Sequence, residues 1–492
     1  MLPLLIAAAA ALAVPATGGG PMVPLPLVEG DETMVVTHHR IKTGQGVLAY
    51  EAIAGRLPVR NDESGEVRGH AFFVAYVARS QDGRPRPLTV IWNGGPTTSS
   101  ILLHTQMFGP RRLDGDHFVD NAETLLKTSD LVFYDPIGTG FSRPENAAAE
   151  PEFLSTLGDF AATAEFVRAY RAAFRADDQP LFLAGESYGT WRVSGVSELL
   201  AERGVPIAGA ILISGGMPGS QMSYAFNDAM AIPARTAAAF AHDKLPADLM
   251  RDRATTLAAS ERWARDVYWP ALEHVDALDP AQREEIAADL ARYTGFDVAK
   301  IDRKALVVTN SAYLHGLLGS DAAHKLDTYD MRLVGPQPDA VGDKKAIGDY
   351  LRGELGYATD LAYTDVEDGY MPAPGPARRS TGDRWDYNHV AITPEMIAHM
   401  QSGSGPPASQ PWLQHALRIE PGMRVFVAAG RFDSYNMCAG NLVMTAKLGP
   451  AVAARVTNRC YEGGHMMYAH DAANRATLAG DVARFETGAA SR

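Results

Sequence analysis

Cysteine is nearly missing from this sequence: Cys438 and Cys460 are its only two in 492 residues. That excludes a disulfide-framework protein and a zinc site built on cysteine spacing. Clustered basic residues are missing too, and the formal net charge is −13 at pH 7. Binding to nucleic acid or to an anionic membrane surface needs the opposite balance. No apolar run is long enough to span a bilayer. No internal repeat and no long low-complexity tract occurs. His465 and His470 do not form a His-Glu-x-x-His zinc motif, so neither metal nor cofactor is expected. What is there is 46% hydrophobic and 21% charged residues, the composition of a soluble globular protein. The length suffices for an ample core, in one large domain or two to three ordinary ones.

The apolar stretch from Leu2 to Val14 ends in small residues, with Ala11-Leu12-Ala13 as an Ala-x-Ala-type site. Residues 1–19 therefore read as a secretory signal peptide, although no Lys or Arg precedes the run. Export to the periplasm or the medium is the expectation, with no stable membrane insertion once the signal is removed. In such a compartment Cys438 and Cys460 can be oxidised to a disulfide. Two unrelated buried thiols are the alternative.

The stretch that organises the chain is Leu181-Phe182-Leu183-Ala184 followed by Gly185-Glu186-Ser187-Tyr188-Gly189. A buried strand, a sharp Gly-x-Ser-x-Gly turn and a helix-capable segment to about Glu202 form the nucleophile elbow of an α/β-hydrolase. The serine sits on a strained turn at the C-terminal edge of the sheet. Gly185 and Gly189 leave room where strand and helix backbones crowd.

Strand signals precede the elbow. A hairpin is expected around Asn61-Asp62-Glu63-Ser64-Gly65, then strands at Leu88–Trp92 and Leu131–Tyr134. Phe160, Ala164, Val167, Tyr170 and Phe174 recur at helical spacing. A strand at Ala210–Ile213 follows the elbow, and strand–helix alternation predicts a mostly parallel sheet with helices on both faces. After Pro218 the pattern turns helical, with Asp279-Pro280 as the start of one helix and Gly/Pro/Ser-rich loops at 371–376 and 402–411. The expected division is an α/β-hydrolase core at 20–216 and 410–492, with a helical insertion or lid at 217–409.

A serine nucleophile needs a base, and the base needs an orienting acid. In this fold they follow in the order Ser, Asp or Glu, His. The strand at Met423–Val427 runs into a loop carrying Asp433, and the next leads to Glu462-Gly463-Gly464-His465. Ser187, Asp433 and His465 are the expected triad. His38 and His39 lie too early, and His470 reads as the start of the last helix. Backbone N–H donors for an oxyanion are expected from Tyr188, just after the nucleophile, and from Gly95 in the Asn93-Gly94-Gly95-Pro96 loop. Next to the nucleophile, Glu186 would repel a substrate carboxylate unless the two share a proton.

Trp92-Asn93-Gly94-Gly95-Pro96 with Ser99-Ser100, Gly109-Pro110, Asp135-Pro136 with Gly138-Thr139-Gly140-Phe141-Ser142, the elbow, Gly430 with Asp433, Gly440-Asn441 and Gly463-Gly464-His465-Met466 together resemble the serine carboxypeptidase family. The blocks keep the family's order over about residues 88 to 470. The resemblance implies release of C-terminal amino acids from peptide substrates, and it implies that Asn93, Gly94 and Glu186 hold the substrate's terminal carboxylate. Several positions depart from the family. Thr97-Thr98 stand where Gly-Cys is usual, Met107 stands where a second acid often sits, and Met467-Tyr468 replace Val-Pro. The form resembles bacterial members. An esterase or acyltransferase on the same triad is the alternative, and a non-catalytic binding protein on this scaffold is a third reading. Oligomeric state is not legible.

Overall fold

The computed structural model describes residues 34–490 except 45, 81–82, 217–222, 320, 365, 367–383, 402–408 and 436–437. The expected signal peptide at 1–19, the loop at 371–376 and most of that at 402–411 lie outside the described residues.

Nine strands form one path: β1 (Val35–Thr43), β2 (Gly46–Arg60), β3 (Val67–Ala78), β4 (Leu88–Trp92), β5 (Asp130–Tyr134), β6 (Leu181–Glu186), β7 (Gly209–Ile213), β8 (Arg424–Gly430) and β9 (Val456–Tyr461). Their spatial order is β1-β2-β3-β5-β4-β6-β7-β8-β9, and the short strand Arg143–Pro144 joins β3. β1, β2, β3 and β5 pair antiparallel, while β5, β4, β6, β7, β8 and β9 run parallel. This is the α/β-hydrolase arrangement. Every residue of β4, β5, β6 and β7 is buried, which explains their unbroken apolar sequences. Phe182 and Ala184 face one apolar cluster, and Leu181 and Leu183 face the other.

Helices α1 (Thr156–Phe174) and α2 (Gly189–Glu202) cover one face with α4 (Trp412–Ile419), once α3 (Pro280–Thr294) is counted in the insertion. The stripe Phe160, Ala164, Val167, Tyr170 and Phe174 of α1 is buried as its spacing predicts. Helix α5 (Cys438–Lys447) follows β8, and α6 (Ala472–Ala490) covers the opposite face through Leu478, Val482 and Phe485. His470 lies just before α6 rather than in it.

Between β7 and α4 the described elements are all helical. α3 opens with a capping box between Asp279 and Gln282 and ends at Gly295 in the left-handed region. This segment packs on three surfaces. Phe226, Ile232, Trp263, Leu290 and Tyr313 build a core of their own, which Ala439 and Met444 of α5 join. Ile347, Tyr350, Tyr357 and Tyr363 join the α6 face of the sheet, and Trp385 and Tyr387 pack on the α1–α2 face.

α6 reaches the two strands that lead into the elbow and into the Asp433 loop. The Phe485 ring lies 5.9 Å from that of Phe182 and 5.7 Å from that of Phe426, with the Arg424 guanidinium 4.6 Å over its face. Phe485→Ala is expected to cost about 3–5 kcal/mol by leaving a cavity there. Denaturant unfolding measures it, and a loss under about 1 kcal/mol would show that the C-terminal helix contributes little to the sheet.

Candidate active site

The elbow is built by crowding. Ser187 has a φ of 59°, in the left-handed region that a serine rarely adopts. Its N–H donates to the Ile213 carbonyl at 2.9 Å, and its carbonyl accepts from the Thr190 N–H (2.9 Å) and hydroxyl (2.8 Å). These bonds hold the turn in its strained form. A Cβ on Gly185 would come within 2.2 Å of the Gly189 carbonyl oxygen, so no larger residue fits between strand and helix.

β8 and β9 deliver the other two triad candidates to the same edge. Asp433 and His465 are both buried, with His465 Nδ1 2.7 Å from Asp433 Oδ2. Nδ1 donates there, which leaves Nε2 of the neutral ring as an acceptor. The Tyr435 N–H donates to Asp433 Oδ1 at 2.9 Å, engaging the second oxygen. Burial disfavours charge on His465, but the Asp433 and Glu186 carboxylates outweigh it and raise its pKa. Cys438 and Cys460 are bonded to each other, tying the segment after Asp433 to the strand before His465.

The backbones of Ser187 and His465 are both tied to the end of β7. Ile213 accepts from the Ser187 N–H, and the next residue, Ser214, donates its hydroxyl to the His465 carbonyl. The His465 N–H donates to the Tyr329 carbonyl of the insertion at 2.5 Å. Beside His465 a cleft of about 580 Å³ opens, lined among others by Gln106, Arg112, Asp327, Tyr329, Met466 and Arg475.

The Asn93–Pro96 loop lies against the elbow. A Cβ on Gly94 would sit 2.6 Å from both the Glu186 carbonyl oxygen and the Tyr188 nitrogen, so glycine alone allows this approach. It brings Gly95 and Tyr188, the two expected oxyanion donors, to adjacent backbone segments. Asn93 Nδ2 donates to Glu186 Oε2 at 2.5 Å, and its Oδ1 accepts from the Leu103 N–H at 3.1 Å. Tyr468 also donates to Glu186 Oε2, at 2.9 Å. Burial pushes the Glu186 carboxyl up to about 7, against the lowering effects of His465, Tyr468 and Asn93. Met107 is buried in the π-helical turn Leu103–Phe108. Among the sequence-predicted residues the structure pairs Asp433 with His465 and Asn93 with Glu186, and it sets Gly94 against the backbone of Glu186 and Tyr188.

Sequence reasoning missed Arg192, Tyr468, Ser214 and Tyr329. Arg192 is fully buried on α2, with Nε 3.0 and 2.8 Å from the two Asp159 oxygens. Its Nη1 donates to the Asn93 carbonyl (2.8 Å) and Nη2 to the Pro96 carbonyl (3.0 Å). An arginine on the inner face of the elbow helix was the readable signal, and Tyr468 was visible only as a departure after His465. Arg192→Met strands Asp159 and frees both loop carbonyls. The expected loss is about 3–5 kcal/mol in denaturant unfolding. In the folded fraction kcat falls more than KM rises, because the loop loses its position. Unchanged stability and kcat would refute the role.

Residues 48–204 match the serine carboxypeptidase family. Pheromone-processing carboxypeptidase KEX1 of Verticillium alfalfae is 32% identical over 156 residues, 30% of this chain and 23% of that protein. Pheromone-processing carboxypeptidase kex1 of Aspergillus niger is 30% identical over 158 residues, 31% of this chain and 24% of that protein. The chain thus matches about a quarter of the length of these fungal relatives, which lend nothing to a bacterial type. Esterase E22 aligns over 92% of this chain and 100% of its own at 10% identity and a TM-score of 0.35, so the fold assignment rests on strand order. By that order the protein has the α/β-hydrolase fold, and its residues 48–204 are similar in sequence to the serine carboxypeptidase family.

Proposed function

We propose that this chain is a serine carboxypeptidase that releases C-terminal amino acids from peptides through an acyl-enzyme. The observation that carries the reading is the buried His465–Asp433 pair, joined through the end of β7 to the strained turn of Ser187. Ser187 Oγ attacks the scissile carbonyl carbon and passes its proton to His465 Nε2. The Gly95 and Tyr188 N–H groups receive the oxyanion. His465 then protonates the leaving amine as the C–N bond breaks. Water repeats the sequence on the ester, and Asp433 holds the imidazole tautomer throughout. Glu186 with Asn93 and Gly94 takes the substrate's terminal carboxylate, and 217–409 forms the lid whose Tyr329 borders the cleft. The Cys438–Cys460 bond supports an exported protein. A periplasmic location and a bacterial-type form rest on the N-terminal pattern and the block departures.

Ser187→Ala and His465→Ala are each expected to lower kcat on the order of 10⁴–10⁶-fold. Asp433→Asn should cost about 10⁴-fold by supporting the wrong tautomer. A fluorophosphonate should label the wild type and not Ser187→Ala, and failure to label would favour a non-catalytic binding protein. Near-normal kcat in folded Asp433→Asn would mean that another acid orients the base.

Met107 favours a second reading, an esterase or acyltransferase, because one acid of the family's carboxylate site is absent. The pH dependence separates the two. Neutral Glu186 accepts a carboxylate below about pH 7 and the ionised form repels it above. KM for a free-acid peptide should then rise by up to about tenfold per pH unit above that point, as the competent fraction falls. KM for the C-terminal amide should stay flat, and Glu186→Gln should flatten the free-acid profile. His465 must be neutral to act, so kcat falls on the acid side for both substrates. Matching KM profiles for acid and amide would move the preference to the esterase.

A further inference from the structure

Glu186 is satisfied on one side only. Its Oε2 takes two donors, Tyr468 and Asn93, while Oε1 is buried with no hydrogen-bond partner. A buried carboxyl oxygen left this way costs stability unless something else uses it. The two donors also cannot exchange roles. Asn93 is fixed because its Oδ1 is held by the Leu103 N–H, and an amide nitrogen only donates. Tyr468 is fully buried, and burial and the Glu186 carboxylate raise its pKa far above its ordinary value, so it keeps its proton. An oxygen accepting two such donors has no place for a proton of its own.

We propose that Tyr468 is a positioning residue for carboxylate recognition: with Asn93 it saturates Glu186 Oε2 and confines the carboxyl proton to Oε1, the oxygen left to donate to the substrate's terminal carboxylate. This rests on the reading of Glu186 as the carboxylate clamp. The position matters because Met107 stands where a second acid is often found, and Tyr468 stands where the resemblance expects a proline. In this chain the two donors to Glu186 come from the loop after β4 and from the loop after His465. A tyrosine there keeps its proton throughout the working range and so adds no ionisation of its own to the site. The Arg475 Nη1 fixes the backbone of that loop by donating to the Tyr468 carbonyl at 3.1 Å. The charged or titratable groups facing Glu186 are His465 and Asp433 from the loops after β9 and β8, Tyr468, and Tyr329 from the insertion.

The test is Tyr468→Phe, which keeps the ring and removes one O–H. KM and kcat of the full chain are measured from acid to alkaline pH on a free-acid peptide and its C-terminal amide. At acid pH the free-acid KM is expected to rise by up to about twofold, because the proton now distributes over both oxygens and a share of the population no longer presents it on Oε1. The pH at which KM begins to climb should move upward, since the lost donor had favoured the ionised form. KM for the amide should not move. Glu186→Gln tests the same orientation without touching Tyr468. Two fixed donors force its oxygen to the Oε2 side and its NH₂ to the Oε1 side, so its free-acid KM should stay near the wild-type acid value at every pH. An unchanged free-acid profile in Tyr468→Phe overturns the proposal, as does a free-acid KM raised more than about tenfold at acid pH in Glu186→Gln. If instead the wild type fails to distinguish acid from amide, the clamp reading itself falls, and this inference with it.

Discussion

A guanidinium buried away from water must have its charge and its donors matched within the protein, and Arg192 meets that demand by gripping three parts of the fold at once. Asp159 of α1 takes Nε, and the Asn93 and Pro96 carbonyls take the two ends. The elbow helix, its neighbour and the loop after β4 are therefore mutually located. A shift in any one of them would leave a buried charge or carbonyl unpaired, which costs several kcal/mol. The geometry proposed for oxyanion binding and for carboxylate binding depends on this lock, since both Gly95 and Asn93 belong to the gripped loop.

Two carboxyl groups face one imidazole and are held differently. Asp433 is engaged on both oxygens, by His465 and by the Tyr435 N–H. Glu186 receives two donors on one oxygen, and burial pushes it up to about 7. Groups of the same chemistry thus sit in different surroundings, which in the proposed mechanism give one the task of orienting a base and the other that of carrying a proton. The strain at Ser187 is sustained because its amide and carbonyl are both bonded, to Ile213 and Thr190.

The parts of the site that sequence could show are those whose signal is local. The Gly-x-Ser-x-Gly turn between a strand and a helix, and two later strands each ending in a loop with Asp433 or His465, announce themselves by spacing. So does α1, whose stripe from Phe160 to Phe174 carries one period. Arg192, Ser214, Tyr329 and Tyr468 act through partners far along the chain, and no periodicity encodes such contacts. The helical segment after Pro218 was legible as helical but not in its packing. Which of its side chains join their own core and which join the sheet, as Tyr350 and Tyr363 do, depends on tertiary complementarity.

β7 and β8 are neighbours in perfect step, Gly209 beside Arg424 through to Ile213 beside Ala428. Yet the whole helical segment lies between them in the chain. From the sheet's side that segment is a detour that leaves the end of one strand and returns at the start of the next. It takes no part in the register of the two strands, and it is tied to them instead by side chains packed on both faces of the sheet. The piece of the molecule that borders the cleft is also joined to the His465 loop by a direct bond, from the His465 N–H to the Tyr329 carbonyl. A displacement of the segment at Tyr329 would therefore reach the His465 backbone without passing through any strand.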